Sequence, residues 1–542
     1  MNAIVHIPQP LNEPVKTYAP GSPERQEIRA QLAEFRSSTI EIPLIIGGRE
    51  VRTGRFGECR IPHDHGHVLA RYHKAGPEEI RLAVEAALAA WPAWSRSPWQ
   101  ERVAISLKAA ELAAKQHRAD LNAATMLGQS KTVHQAEIDA VCELADFLRM
   151  NTYFMQQIYQ IQPENFQATW NRLDYRPLEG FVFAVAPFNF TAISGNLAAA
   201  PAMMGNVVLW KPASTAVFSS YHIMRIFQEA GLPPGVVNFI PGDSRDMAGL
   251  LLAHPDLAGV HFTGSNEVFN GIWRSVGEHA HEYRSYPRIV GETGGKDFVV
   301  VHPSAEVQGT ATCLLRGAFE YQGQKCSATS RAYVARSLWP RLSEALLGML
   351  AQVKVGPVED FTHFMGAVID AKAFRTINGY LELARSGKGA RILAGGGADD
   401  SSGYFIQPTV ILTDDPHHRL MEEEIFGPVL TVYLYDDDRF DEVLDLCDRT
   451  SPYALTGAIF AQDRQAILQA EDRLRHAAGN FYINDKTTGA VVGHQPFGGA
   501  RASGTNDKAG SIYNLLRWMS VRTIKECFNT PRDFTYPFLA AD

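Results

Sequence analysis

The chain is poor in cysteine, has no long apolar run and leans strongly to neither sign of charge. Its six cysteines are scattered over 542 residues. They form no CxxC pair and show no Cys/His spacing suited to zinc. A disulfide scaffold and a structural metal are therefore not expected, and free thiols in a reducing, cytoplasmic setting are. No stretch approaches the roughly 20 apolar residues that span a bilayer. The amino-terminal segment carries Pro8, Pro10, Pro14 and Pro20 without an apolar centre, so it predicts an extended arm and not a secretion signal. With 51 Lys plus Arg against 59 Asp plus Glu, the formal charge is -8. That balance gives no footing for nucleic acid or an anionic membrane as partner. Repeats, low-complexity tracts and Gly/Ser linkers are missing too.

What is present is enough chain for two large domains, since one core stops growing well below this length. Ser22 before Pro23 predicts a helix start, with Ile28, Leu32 and Phe35 as its apolar stripe. Further helices are expected over 77–90, 101–118 and 131–150. The last would carry Ile138, Val141, Ala145 and Leu148 on one side and Glu137 close to it. From residue 180 short apolar runs alternate with helical stretches. Strands are predicted at 181–185, 207–210, 236–240, 259–263 and 298–301, with helices at 195–204, 216–229 and 267–276. A second alternating region begins after Gly295, with helices at 312–321, 343–352 and 371–384 and strands near Tyr333 and at 429–434, 456–460 and 480–483. This is the pattern of an α/β chain with largely parallel sheets, which bind ligands at the carboxyl ends of their strands.

Several residues in these stretches could carry chemistry. Cys326 in GQKCSATSR lies in a polar segment, where positive charge or backbone donors would stabilise a thiolate. Taken alone, it is equally an inert buried thiol. Glu292 in VGETGGKD precedes two glycines, which permit close backbone approach beside a ligand; it also fits an ordinary turn. Asn189 ends the strand-like run AVAPFNF, where an amide could donate to a developing oxyanion or to a strand-end carbonyl. Lys211 ends another strand, and Gly264 with Ser265 opens a helix whose free amides suit a phosphate. No GxGxxG fingerprint accompanies them.

Together the motifs PFNF (187–190), LWKPAS (209–214), FTGS (262–265), ETGGKD (292–297), GQKCSA (323–328), EEIFGPV (423–429) and QPFGGARASG (495–504) closely resemble the aldehyde dehydrogenase superfamily. KTVHQAEIDA (131–140) and NDKTTGAVVGHQPFGGARASGTNDKAG (484–510) resemble its pyrroline-carboxylate branch, the dehydrogenases of glutamate gamma-semialdehyde. The resemblance implies a Rossmann-type cofactor domain over 38–165 and 186–291, an α/β catalytic domain over 292–504, and a small bridging and oligomerisation extension from 166–185 and 505–542. Residues 1–37 would be an arm and helix.

The same resemblance implies Cys326 as nucleophile, Glu292 as general base, and Asn189 with the Cys326 amide as oxyanion hole. Lys211 and Ser214 would face the adenosine ribose of NAD, with Gly264 and Ser265 at the pyrophosphate and Glu424 and Phe426 at the nicotinamide end. Many NAD-preferring relatives carry Glu where Ser214 stands, which leaves NADP open. Substrate carboxylate would meet Ser327, Gly489 and Ala490. Glu137 would orient polar groups, Phe190 and Phe497 would line the methylene chain, and Lys325 would add positive charge near the thiol. Glu137 as a solvated helix residue and the two Phe as plain core packing are the competing readings. Oxidation of another semialdehyde such as succinate semialdehyde, and a noncatalytic metabolite-binding protein on the same fold, remain the rival functions. Phe528, Tyr536, Pro537 and Phe538 would close a homodimer or dock on their own subunit. No metal is expected.

Overall fold

A computed structural model describes residues 4–542. Two seven-stranded sheets organise it. The first runs in the order Arg288–Glu292, Leu257–Thr263, Phe181–Val185, Val207–Lys211, Val237–Phe239, Leu44–Ile46, Arg49–Val51. Its first five strands are parallel, and the last two are added antiparallel. The central strand sequences FVFAV and VVLWK are almost wholly buried. Such uninterrupted apolar runs follow from a sheet covered on both faces. Pro77–Trp94, Thr191–Met203 and Val217–Ala230 are among the covering helices.

The second sheet has the order Ala390–Ala394, Thr409–Thr413, Val429–Tyr435, Thr329–Ala335, Asp297–Val301, Thr456–Phe460, Asn480–Ile483. It is parallel except for its first strand. Each sheet has its own buried apolar cluster, one drawn from residues before 291 together with Val358, Leu515, Trp518 and Met519, the other from residues 298–477.

Three boundaries differ from expectation. Strand Phe181–Val185, expected within the bridging segment, lies at the middle of the first sheet, and the strand before it ends at Pro177. The helix Pro23–Ser37, capped by the Ser22 hydroxyl, is not a separate arm element, because Ile28 and Leu32 belong to the first core. Leu515, Trp518 and Met519, expected in the bridging segment, are buried in that core too, and the strand Met519–Cys527 runs on from there. There Thr169–Pro177 and Met519–Cys527 pair antiparallel as a two-stranded ribbon.

The helix expected over 131–150 is broken in register. Val133–Ala136 passes into a π-helical turn, Glu137–Cys142, before the α-helix Glu143–Tyr159 resumes. A π-turn inserts an extra residue and shifts every later side chain around the axis. Val141, Ala145 and Leu148 face the first core as expected, while Ile138 leaves that stripe and lines a cavity between the two sheets.

Candidate active site

Between the carboxyl ends of the two sheets lies this cavity, of about 290 Å³. Glu143, Phe190, His261, Glu292, Cys326 and Phe497 line it. Ser327, Gly489, Ala490 and Lys325 also line it.

Cys326 is delivered by a strained turn. After the helix Val307–Phe319, Tyr321 (φ 51), Gln322 (φ 55) and Gly323 (φ 64) are left-handed in succession. Two non-glycine residues there cost energy that the surroundings must offset. Gln322 Nε2 donates to the carbonyls of Ser130 (2.9 Å) and Ala367 (2.7 Å), and Gln324 Oε1 accepts from the Ile369 amide at 2.9 Å. Asn189 Nδ2 donates to the Gln324 carbonyl at 3.1 Å. Its amide therefore sits against the turn two residues ahead of the thiol. Glycine is required at position 295, where a Cβ would stand 2.4 Å from the Cys326 carbonyl oxygen.

Burial, then the carboxylates of Asp297, Glu292 and Glu424, push the Cys326 thiol well above its usual range. Lys325, at the cavity wall, has its Nζ 3.7 Å from Glu320 and 3.9 Å from Asp139, so its charge is shared with these carboxylates.

Glu292 ends its strand, in register with Thr263, and its carbonyl accepts from the Gly264 amide at 3.1 Å. Burial raises its carboxyl well above the ordinary value, opposed by the Gly499 amide and by Lys508 and reinforced by Asp507. One oxygen, Oε2, has no hydrogen-bond partner. The other lies where a Cβ on Gly498 would approach to 2.9 Å, so the glycine at 498 makes room for the base.

The expected substrate contact Glu137 is not at the cavity. It is fully buried on the far side of the π-turn, where it pairs with Arg118 and accepts from the Lys16 amide (2.8 Å), the Tyr18 hydroxyl (2.8 Å) and Asn122 Nδ2 (2.8 Å). Its oxygens are used up by these donors. The residue facing the cavity is Glu143, whose Oε2 has no partner and whose carboxyl is raised well above its ordinary value by burial and by Asp139. Asp139 and Asp146 line the same wall. Lys131 Nζ, ion-paired to Asp139 at 2.5 Å, lies 4.3 Å from the Phe190 ring centre and 4.4 Å from that of Tyr321.

Opposite, Ser327 Oγ donates to Thr488 Oγ1 at 3.0 Å, and the Thr487 hydroxyl donates to the Ser327 carbonyl at 2.7 Å. These bonds tie the loop carrying Gly489 and Ala490 to the nucleophile's neighbour. Lys486, whose Nζ donates to the Thr488 carbonyl at 3.0 Å, also lines the cavity and was not expected there.

The residues expected at a dinucleotide form a second group at the strand ends. Lys211 is buried, its Nζ bonded to the Pro212 carbonyl at 3.1 Å, and burial lowers it to about 8. Exposed Ser265 caps the helix Asn266–Glu278, with Gly264 just before it. Ser214 is exposed nearby in sequence to Lys211. Glu424 Oε1 accepts from the Gly295 amide at 3.0 Å, and burial raises its carboxyl to about 7. Phe426, left-handed at φ 54, packs edge-on against Phe188. A buried lysine with one carbonyl partner and an open helix start fit a polyanionic, ribose-bearing ligand.

Residues 52–524 match the model of the aldehyde dehydrogenase family. A mitochondrial delta-1-pyrroline-5-carboxylate dehydrogenase of Dictyostelium discoideum is 53% identical over 99% of this chain and 97% of its own. The crystal structure of the Delta-pyrroline-5-carboxylate dehydrogenase from Mycobacterium tuberculosis bound with NAD superposes with a TM-score of 0.96 at 51% identity, covering 100% of both chains. A 1-pyrroline-5-carboxylate dehydrogenase from Thermus with bound NAD gives 0.90 at 33% identity, over 97% of this chain and 100% of that one. With the motifs, the two sheets and the cavity between them in agreement, this chain belongs to the aldehyde dehydrogenase family.

Proposed function

We propose that the chain oxidises L-glutamate gamma-semialdehyde, the open form of 1-pyrroline-5-carboxylate, to L-glutamate with NAD, as a step of proline breakdown. One observation carries the choice of substrate: an unpartnered Glu143 oxygen shares a cavity with Cys326 and with the loop bearing Gly489 and Ala490. An α-ammonium would satisfy Glu143, and an α-carboxylate would meet the Ser327 hydroxyl and the backbone amides opposite. Phe190 and Phe497 would flank the methylenes between. Succinate semialdehyde offers no cation for Glu143.

The thiol of Cys326 loses its proton and its sulfur bonds to the aldehyde carbon. Asn189 Nδ2 and the Cys326 amide would donate to the oxygen that becomes negative, a contribution of roughly 3–4 kcal/mol for one good donor. NAD, held by Lys211, Ser214, Gly264, Ser265, Glu424 and Phe426, supplies the acceptor for the hydride that leaves this carbon. A thioester on Cys326 remains. Glu292 takes a proton from water through its unpartnered oxygen, the water oxygen bonds to the acyl carbon, and the sulfur leaves with glutamate released. A high thiol pKa means that Cys326 rests protonated; Glu292, in its ionised form, would accept that proton and release it to solvent before it takes one from the attacking water.

The ribbon of Thr169–Pro177 and Met519–Cys527 leaves both strand edges unpaired, and Trp170, Phe528, Phe534 and Phe538 are exposed beside it. A second copy would cover them, which supports a homodimer. No described helix is long and apolar enough to cross a membrane. Six free cysteines fit a reducing cytoplasm.

The deciding experiment measures NADH and glutamate from pyrroline-5-carboxylate with wild type and Cys326→Ala. Wild type should form both in equal amounts, and Cys326→Ala should lose at least about 10³-fold in kcat. Faster NADH formation by wild type from succinate semialdehyde would overturn the substrate assignment, and steady turnover by Cys326→Ala would overturn the covalent route.

A further inference from the structure

The amino-terminal arm forms part of the chamber wall. Asn12, Glu13 and Val15 line the cavity with Glu143 and Asp146 of one helix and with residues 491 and 492 of the facing loop. Extended chain of this kind has no ladder or helix to hold it, so its position depends on where its hydrogen bonds go.

They go to both walls. Asn12 Nδ2 donates to Asp146 Oδ2 at 2.7 Å and to the Val492 carbonyl at 2.9 Å. Asn12 Oδ1 lies 2.9 Å from His494 Nε2. The Glu13 amide donates to Asp146 Oδ1 at 2.7 Å, and its carboxylate pairs with Arg118 and Arg149 at 2.7 Å each. Lys16 and Tyr18 then fasten the arm to Glu137. One amide side chain thus spans from the helix carrying Glu143 to the loop that presents Gly489 and Ala490.

We propose that Asn12 is a positioning residue for substrate selection. Latched on Asp146, the arm holds the loop bearing Gly489 and Ala490 at the separation from Glu143 that suits a short aldehyde with an amino-acid head. This rests on glutamate semialdehyde being the substrate. An aldehyde without that head needs only Cys326, Glu292 and the cofactor, and its turnover does not depend on the clamp.

The experiment compares full-length wild type with Asn12→Ala and with His494→Ala, which cuts the same clamp from an exposed side chain. Pyrroline-5-carboxylate and propanal are the two substrates, and melting temperature is followed in parallel. For each variant kcat/KM with pyrroline-5-carboxylate should fall about tenfold, carried by KM, while kcat/KM with propanal stays within about twofold. An equal fall on both substrates makes the arm a structural support only and overturns the proposal, as does an unchanged ratio. If wild type itself does not oxidise pyrroline-5-carboxylate, the parent reading fails and takes this one with it. A selective wild type whose ratio survives both substitutions overturns this one alone.

Discussion

Cys326 and Glu292 are poised by the same circumstance, burial beside other carboxylates, which raises the pKa of both. For Glu292 the sign has two consequences. As a base it works only when ionised, so thioester hydrolysis should rise with pH through its raised pKa and fail below it. In the folding equilibrium a carboxyl with a raised folded pKa makes the native state lose stability as pH climbs from the unfolded value toward the folded one. Glu292→Gln should therefore lower kcat by about 10²–10³-fold and yet melt higher than wild type at pH 8, the two curves converging near pH 4. Equal melting temperatures at both pH values would refute the burial argument. Sequence motifs singled out Cys326, Glu292 and Asn189 because their neighbours are so distinctive. They did not disclose that Lys325 shares its charge with Asp139, which comes from a distant segment, and with Glu320 across the left-handed turn.

The π-turn Glu137–Cys142 explains the largest departure from expectation at the level of elements. Periodicity of 3.6 extrapolates across 131–150 without a break, and one added residue rotates all later side chains by about 100°. Glu137 is an anchor for the arm, and Glu143 faces the cavity. Their substitutions should separate cleanly. Glu143→Gln should raise KM for pyrroline-5-carboxylate about ten- to a hundredfold with little loss of melting temperature. Glu137→Gln should leave KM alone and cost about 3 kcal/mol of stability by stranding the buried Arg118. That cost should fade as pH drops through the lowered Glu137 pKa, where the ion pair is already lost. Denaturant titrations beside steady-state kinetics would show whether the two roles are instead exchanged. Most of the parallel strands were legible because full burial leaves mainly apolar residues, while Arg288–Glu292 and Thr409–Thr413 escaped. The strand Asp64–His73, half polar and lying in a small three-stranded sheet, offers no such run and escapes a reading by pattern.

At the scale of the molecule, two cores were expected, and two sheets with separate apolar clusters are found. Sequence left the seams inexact because strand Phe181–Val185 and residues Leu515 and Trp518 join a core from beyond its main stretch. The exposed aromatics after Cys527 belong to this scale as well. Truncation after residue 527 should convert a dimer to monomer by sedimentation while leaving a folded chain; an unchanged mass would assign the tail to its own subunit.

The cavity lies on the seam, with one wall from each core. Any ligand seated there binds only while the cores are apposed, so its binding energy is also adhesion between them. Calorimetry should then record two overlapping transitions for the empty protein that draw together into one sharper peak with NAD and glutamate. The catalytic chamber is in this sense the molecule's reversible glue, tightest while chemistry is under way and loosest once product has gone.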